Sequence, residues 1–339
     1  MSIKIAINGF GRIGRLAFRK LFGLEGYDII AINDLATPDM LIHLLKYDSV
    51  YKKYDKADKI IVGEHSITID GKIINIYSEK DANNLPWKEI GVDLVLESTG
   101  LYTSKEKASA HINAGAKKVV ISQIAGNDLP TIVYGVNENT IQKEDKIISA
   151  SSCIANCIAP MAKALNDSYP ILSGIMTSVH AYTGTQLLLD GPHKKNNLRR
   201  ARAGAINIVP DQIDDIVKAI GLVLPELNGK IIGASQRVPV PTGSMILLTA
   251  VVKGKNITKE AINSIMKNQK SISFGYTEEE LVSSDIVGIN YGSLFDATQT
   301  MVTKVNEDVY QIQVVAWFDN ENSYASQLVR TIKYFANLN

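Results

Sequence analysis

Apolar positions in the first third of the chain alternate between two periods. Ile3–Asn8, Asp28–Asn33, Val92–Glu97 and Lys118–Ser122 are short β-rich runs. Arg12–Phe22 places Ile13, Leu16, Ala17 and Leu21 on one helical face, and Lys105–Ala114 reads as another helix. Strand, helix, strand with short connections predicts a doubly wound parallel sheet. Near Ser149 the pattern changes. Gly174–His180, Ile231–Val238, Met245–Val252 and Tyr310–Trp317 are longer strands, less regularly separated by helices at Cys153–Asn166, Asp211–Leu224 and Lys259–Lys267. They predict a second domain with a mixed, largely antiparallel sheet. Tyr324, Leu328, Ile332 and Phe335 form a last helical stripe within Ser323–Asn337. The expected class is thus α/β together with α+β.

Composition narrows the function classes. With 339 residues the chain has room for two domains, and 36 basic against 35 acidic residues leave a formal charge of +1. That balance argues against a protein that binds nucleic acid or a membrane surface through bulk positive charge. The densest apolar stretch, Met245 to Val252, is strand-sized, so no membrane insertion is expected. The start, Met1-Ser2-Ile3-Lys4-Ile5, lacks the pattern of a secretory signal, and a cytoplasmic location is expected. The two cysteines, Cys153 and Cys157, are poorly spaced for a disulfide and too few for a cysteine-rich zinc site, so no metal is expected and both are read as thiols.

Asn8-Gly9-Phe10-Gly11-Arg12-Ile13-Gly14 follows the first strand and opens the first helix. In that setting glycines permit a tight turn and close approach of a pyrophosphate, which the helix N-terminus stabilises. Asp34 ends the second strand, where an acid accepts hydrogen bonds from a ribose diol and repels a 2′-phosphate, favouring NAD over NADP. A glycine-rich turn beside a solvated aspartate is the plainer alternative.

Cys153 follows Ser149-Ala150-Ser151-Ser152 and begins a helical pattern. A serine cap puts it in the first turn, where free N–H groups favour a thiolate. Cys157, one turn further in, reads as a small buried apolar side chain. Of the histidines, His43 and His111 lie in helices with packed or surface roles, and His65 and His193 sit in charged turns. His180 ends a strand and is the best candidate base. Leu198-Arg199-Arg200-Ala201-Arg202 reads by default as a solvated charge run, whereas Arg237, among apolar strand neighbours, calls for an anion.

These residues resemble phosphorylating glyceraldehyde-3-phosphate dehydrogenase, most closely the bacterial form, over essentially the full length. The resemblance is carried by the glycine turn, Leu44-Leu45-Lys46-Tyr47-Asp48, Ser98-Thr99-Gly100, Ser152-Cys153 with Asn156-Cys157, and His180-Ala181-Tyr182-Thr183. It continues in Leu198 to Arg202, Pro225-Glu226-Leu227-Asn228-Gly229-Lys230, Arg237-Val238-Pro239 and Asp319-Asn320-Glu321. It implies a Rossmann-type NAD-binding domain at 1–152, a catalytic domain at 153–318 and a C-terminal helix, 319–339, that returns to the first domain. It also implies a glycolytic enzyme in which Cys153 attacks glyceraldehyde 3-phosphate with His180 as base. The thiohemiacetal passes hydride to NAD, and inorganic phosphate cleaves the thioester to 1,3-bisphosphoglycerate. By the same resemblance Gly9, Gly11, Arg12, Ile13, Asp34, Lys80 and Ser122 contact NAD, and Asn320 orients its nicotinamide amide. Thr183 and Arg237 hold the substrate phosphate, Ser152 and Arg200 serve the attacking phosphate, and the segment from about Ala181 to Val209 implies a homotetramer.

Two departures fall on the attacking-phosphate site. Ile154 and Ala155 stand where the family usually has threonines, and Asp211-Gln212-Ile213-Asp214-Asp215-Ile216-Val217-Lys218 replaces a shorter turn of hydroxylated and small residues. If Asp211, Asp214 or Asp215 faces that site, like charges oppose phosphate, and a high Michaelis constant for phosphate is expected with acylation intact. The alternative is that the loop rebuilds the site with backbone donors and Arg200. Other readings are an erythrose-4-phosphate dehydrogenase, a catalytically weakened binding or adhesion protein, and a Cys/His hydrolase, which the glycine turn with Asp34 argues against.

Overall fold

The computed structural model describes residues 2–338. It divides into two compact units, one running to Ser151 and including the chain from Leu328 onward, the other Ser152–Gln327. The second break lies inside the final helix, Asn322–Asn337, downstream of Asp319.

The first unit is built on an 8-stranded sheet. Its order is Ile60–Val62, Ser66–Ile69, Lys72–Tyr77, Tyr27–Asn33, Ile3–Asn8, Leu94–Glu97, Lys118–Ile121 and Ile147–Ser149. From Lys72–Tyr77 onward all neighbours are parallel. Parallel strands covered on both faces have no polar side, so Ile5, Ala6, Ile7, Leu94, Val95, Leu96, Val119, Val120 and Ile121 are all buried. The first strand has the second on one flank and Leu94–Glu97 on the other, so the chain order reverses there, where ligands bind beyond the strands' C-terminal ends. The hairpin Ser66–Ile69 with Lys72–Tyr77 was not forecast by the apolar pattern. Lys118 Nζ donates to the carbonyls of Phe335 (2.8 Å) and Leu338 (2.7 Å), closing the C-terminal end of the last helix.

One buried network fixes the functional edge of this sheet. The Glu97 carboxylate accepts from Asn8 Nδ2 (2.6 Å), Thr99 N (2.7 Å), Thr99 Oγ1 (2.5 Å) and His111 Nε2 (2.9 Å). Trp87 Nε1 can only donate, and it donates to His111 Nδ1 (3.1 Å), so the imidazole is neutral with its proton on Nε2. Asn33 Nδ2 donates to Asn8 Oδ1 (2.7 Å), tying three strand ends together.

The second unit has another 8-stranded sheet, ordered Val209–Asp211, Ile231–Val238, Ile171–Ala181, Ser244–Lys253, Val309–Phe318, Ser293–Asp296 and Phe274–Thr277, with Met301–Lys304 also paired to Val309–Phe318. Pairing is antiparallel except between Ile231–Val238 and Ile171–Ala181 and between Phe274–Thr277 and Ser293–Asp296. Strict alternation along Ser244–Lys253 buries Ile246, Leu248, Ala250 and Val252. The helix expected at Asp211–Leu224 begins only at Asp214 and ends at Val223. Asp211 instead ends an edge strand, because Val209, Pro210 and Asp211 pair with Arg237, Gln236 and Ser235.

His111→Phe is expected to lower stability by about 2–4 kcal/mol, since it leaves Trp87 Nε1 unpartnered and takes one donor from a buried carboxylate. Thermal or denaturant unfolding measures it; an unchanged midpoint would show that the network is dispensable.

Candidate active site

The glycine turn is shaped by close packing. Gly9 has φ +91°, and a Cβ there would stand 2.6 Å from Thr99 N. A Cβ on Gly14 would stand 2.2 Å from the Gly9 carbonyl oxygen, so the helix lies directly on the turn. Gly11, at the helix start, differs: no heavy atom lies within 4 Å of its Cβ position, which leaves a cradle that a side chain would fill. No acidic residue occupies the first turn of Arg12–Leu21, so its positive end is uncompensated. Asp34 accepts from Phe10 N (2.7 Å) and Ala36 N (3.0 Å), which holds the carboxylate beside the turn with lone pairs to spare. Arg12 lies 3.5 Å from Asp48 and over the Tyr51 ring, and Ile13 is half-buried. Lys80 follows Lys72–Tyr77 and Ser122 follows Lys118–Ile121. All these positions meet at one sheet edge and suit a dinucleotide. The supporting Asn8, Asn33, Glu97 and His111 network is not part of the sequence expectation; polar residues ending three apolar strands are its only signal.

In the second unit Ser152 caps the helix Cys153–Ser168, its Oγ accepting from Ala155 N (3.2 Å). Cys153 Sγ therefore stands at the helix start, 3.7 Å from His180 Nε2. His180 Nδ1–H donates to the Ala181 carbonyl (2.7 Å), so the Nε2 lone pair faces the thiol. The ring packs edge-on against Phe318, and Arg237 is its register neighbour on the parallel strand. Asn320 is buried; its Oδ1 accepts from Ser244 Oγ (2.5 Å), and its Nδ2 lies 3.5 Å from the Ala181 carbonyl. The amide thus braces the strand end that carries His180.

Burial governs the protonation of this pair. It pushes the Cys153 thiol up to about 11, against the opposing pull of Arg237 and of backbone N–H groups at the helix start. It pulls the His180 imidazole down to about 3, with Arg237 adding to the effect. Burial therefore favours the uncharged form of both the thiol and the imidazole. Desolvation thus opposes the thiolate that the helix N-terminus favours. Cys157 is buried, with Sγ 3.8 Å from Ser293 Oγ and the Trp317 carbonyl, and its thiol is pushed up further.

Around the pair, Thr183 Oγ1 lies 3.0 Å from Thr185 Oγ1, which accepts from Arg200 Nη1 (2.8 Å). Arg200 and Arg237 both donate to Asp211. Asp214 and Asp215 are exposed in the first turn of their helix, while Ile154 and Ala155 are buried. No group of three or more metal-ligating side chains occurs among the described residues. No helix among them is long and apolar enough to cross a membrane.

Residues 3–105 match the family model of the glyceraldehyde 3-phosphate dehydrogenase NAD binding domain, and residues 152–320 match that of the C-terminal domain. The glyceraldehyde-3-phosphate dehydrogenase of Clostridium pasteurianum is 53% identical over 335 residues, covering 99% of this chain and 99% of that protein. That of Streptococcus pyogenes is 52% identical over 339 residues, covering 100% of this chain and 99% of its own length. The cofactor is NAD, and the chain, an NAD-dependent oxidoreductase, belongs to the glyceraldehyde-3-phosphate dehydrogenase family.

Proposed function

We propose that the protein oxidises glyceraldehyde 3-phosphate in glycolysis through a covalent intermediate on Cys153. The observation that carries this reading is the Nε2 lone pair of His180 facing Cys153 Sγ at 3.7 Å, fixed by the Nδ1–H bond to Ala181. As sulfur adds to the aldehyde carbon, His180 Nε2 takes the thiol proton; a neutral pair avoids building a charge in a buried site before substrate arrives. His180 Nε2 hands that proton to the carbonyl oxygen, which becomes the thiohemiacetal hydroxyl, and takes it back in the oxidation step. Bound NAD supplies the hydride acceptor, leaving a thioester on Cys153.

Gly9, Gly11, Arg12, Ile13, Asp34, Lys80 and Ser122 hold the cofactor, and Asn320 orients its amide. Thr183 and Arg237 bind the substrate phosphate, with Ser152 and Arg200 toward the acyl acceptor. In the family's chemistry that acceptor is inorganic phosphate, giving 1,3-bisphosphoglycerate; here the step is slowed, since Ile154 and Ala155 bring no hydroxyl. The units act as NAD-binding and catalytic domains of a cytoplasmic homotetramer. Leu188, Leu189, Leu198, Ile206 and Ile208, all more than two-thirds exposed within one segment, support self-association. Sedimentation equilibrium tests the subunit number.

Rapid mixing of enzyme, NAD and glyceraldehyde 3-phosphate should give a burst of NADH close to one per subunit. Cys153→Ser should abolish it and His180→Asn should slow it by about 10²–10⁴; a burst that survives Cys153→Ser would overturn the reading. Alkylation of Cys153 by iodoacetamide in the cofactor-free enzyme should keep rising with pH past 9.0, the ordinary thiol value, because only the thiolate reacts and its formation is displaced upward. A plateau below pH 7 would show an ion pair instead. Asp34→Ala should weaken NAD about tenfold in a fluorescence titration, the loss of one or two hydrogen bonds to a charged acceptor, and should narrow the preference over NADP.

A further inference from the structure

The two arginines beside the catalytic pair already hold an anion, and it belongs to the chain itself. Asp211 Oδ2 accepts from Arg237 Nε and Nη2, each at 3.2 Å, and from Arg200 Nη2. Its Oδ1 accepts from Arg200 Nε at 3.3 Å. The grip on Arg200 is two-pronged, the geometry in which a guanidinium best binds either a carboxylate or a phosphate. Edge-strand pairing sets this up: Asp211 sits opposite Ser235, diagonal to Arg237 on the same face.

The carboxylate is only 8% exposed and stays ionised. Burial alone would raise its pKa, but Arg200 and Arg237 outweigh burial and hold it below the ordinary value. Two guanidiniums and one carboxylate leave a single net positive charge, which suits the phosphate ester of one substrate and not a second phosphate beside it. On the helix side Ile154 and Ala155 offer no polar side-chain atom.

We propose that Asp211 occupies the anion position between Arg200 and Arg237 and so selects water over inorganic phosphate as the acyl acceptor, making the product a free carboxylate. This inference rests on the dehydrogenase reading above and deepens it by naming the acceptor. Water is neutral, so it reaches the thioester without displacing Asp211 or meeting its charge. Its oxygen bonds to the acyl carbon while His180 Nε2 takes a proton, the C–S bond breaks, and the proton returns to sulfur. In sum, aldehyde, oxidised NAD and water give carboxylate, NADH and two protons.

The full-length enzyme is assayed with NAD and glyceraldehyde 3-phosphate in phosphate-free buffer, then with added inorganic phosphate, and products are identified by phosphorus NMR. Steady turnover without phosphate is expected, with phosphate raising the rate less than about twofold and 3-phosphoglycerate as the product. Asp211→Asn and Asp211→Ser should each make the rate respond to phosphate by about tenfold or more, the worth of one charge-assisted hydrogen bond, with acyl phosphate appearing. A burst followed by arrest until phosphate is added, or acyl phosphate as the main wild-type product, would overturn the inference and leave the dehydrogenase reading intact. So would two folded Asp211 variants whose phosphate response is unchanged. If neither variant folds, the wild-type product decides. No burst at all would overturn the dehydrogenase reading, and this inference with it.

Discussion

A charge taken out of water must be paired or given up, and both units are organised by that constraint. In the first, four hydrogen bonds converge on the buried Glu97 carboxylate, from Asn8 at a strand end, from Thr99 in the following turn and from His111 in the helix Lys105–Asn113. In the second, Arg237 keeps its charge because Asp211 answers it. Cys153 and His180 lie 3.7 Å apart, and burial opposes a charge on either. The same physics thus yields a rigid scaffold in one place and a reactive pair in the other. Glu97 has every lone pair engaged, whereas the His180 Nε2 lone pair has only a weak thiol donor to accept from.

Much of this was legible in the sequence where the signal is local. The glycine turn, Asp34 and the Ser152–Cys153 helix start each announce themselves within a few residues, and the strand Ile231–Val238 has the predicted bounds. His180 was found because a strand end displays its side chain. Three features were not legible. Ile213, Ile216, Val217 and Ile220 have helical spacing, so the reading ran the helix back to Asp211. What stops it at Asp214 is pairing with Ser235–Arg237, a contact distant in sequence. Glu97 and His111 looked ordinary because their partners come from four separate segments. The desolvation that opposes ionisation of Cys153 leaves no local pattern, whereas the helix start that favours it does.

The departures after the nucleophile and after Pro210 are one change seen from two sides. Losing hydroxyls at Ile154 and Ala155 would by itself weaken an anion site without closing it, since Arg200 and Arg237 would remain. Asp211 closes it, because a tethered carboxylate has already lost the translational freedom that a free ion must surrender on binding. Asp214 and Asp215 are exposed at the start of the helix that follows. A helix N-terminus attracts anions, but this one carries two exposed carboxylates in its first turn, so its positive end is already compensated. An incoming phosphate dianion would therefore have to displace Asp211 from two guanidiniums. An uncharged nucleophile does not face that barrier, and the general base it needs, His180, stands 3.7 Å from the sulfur that would carry the acyl group.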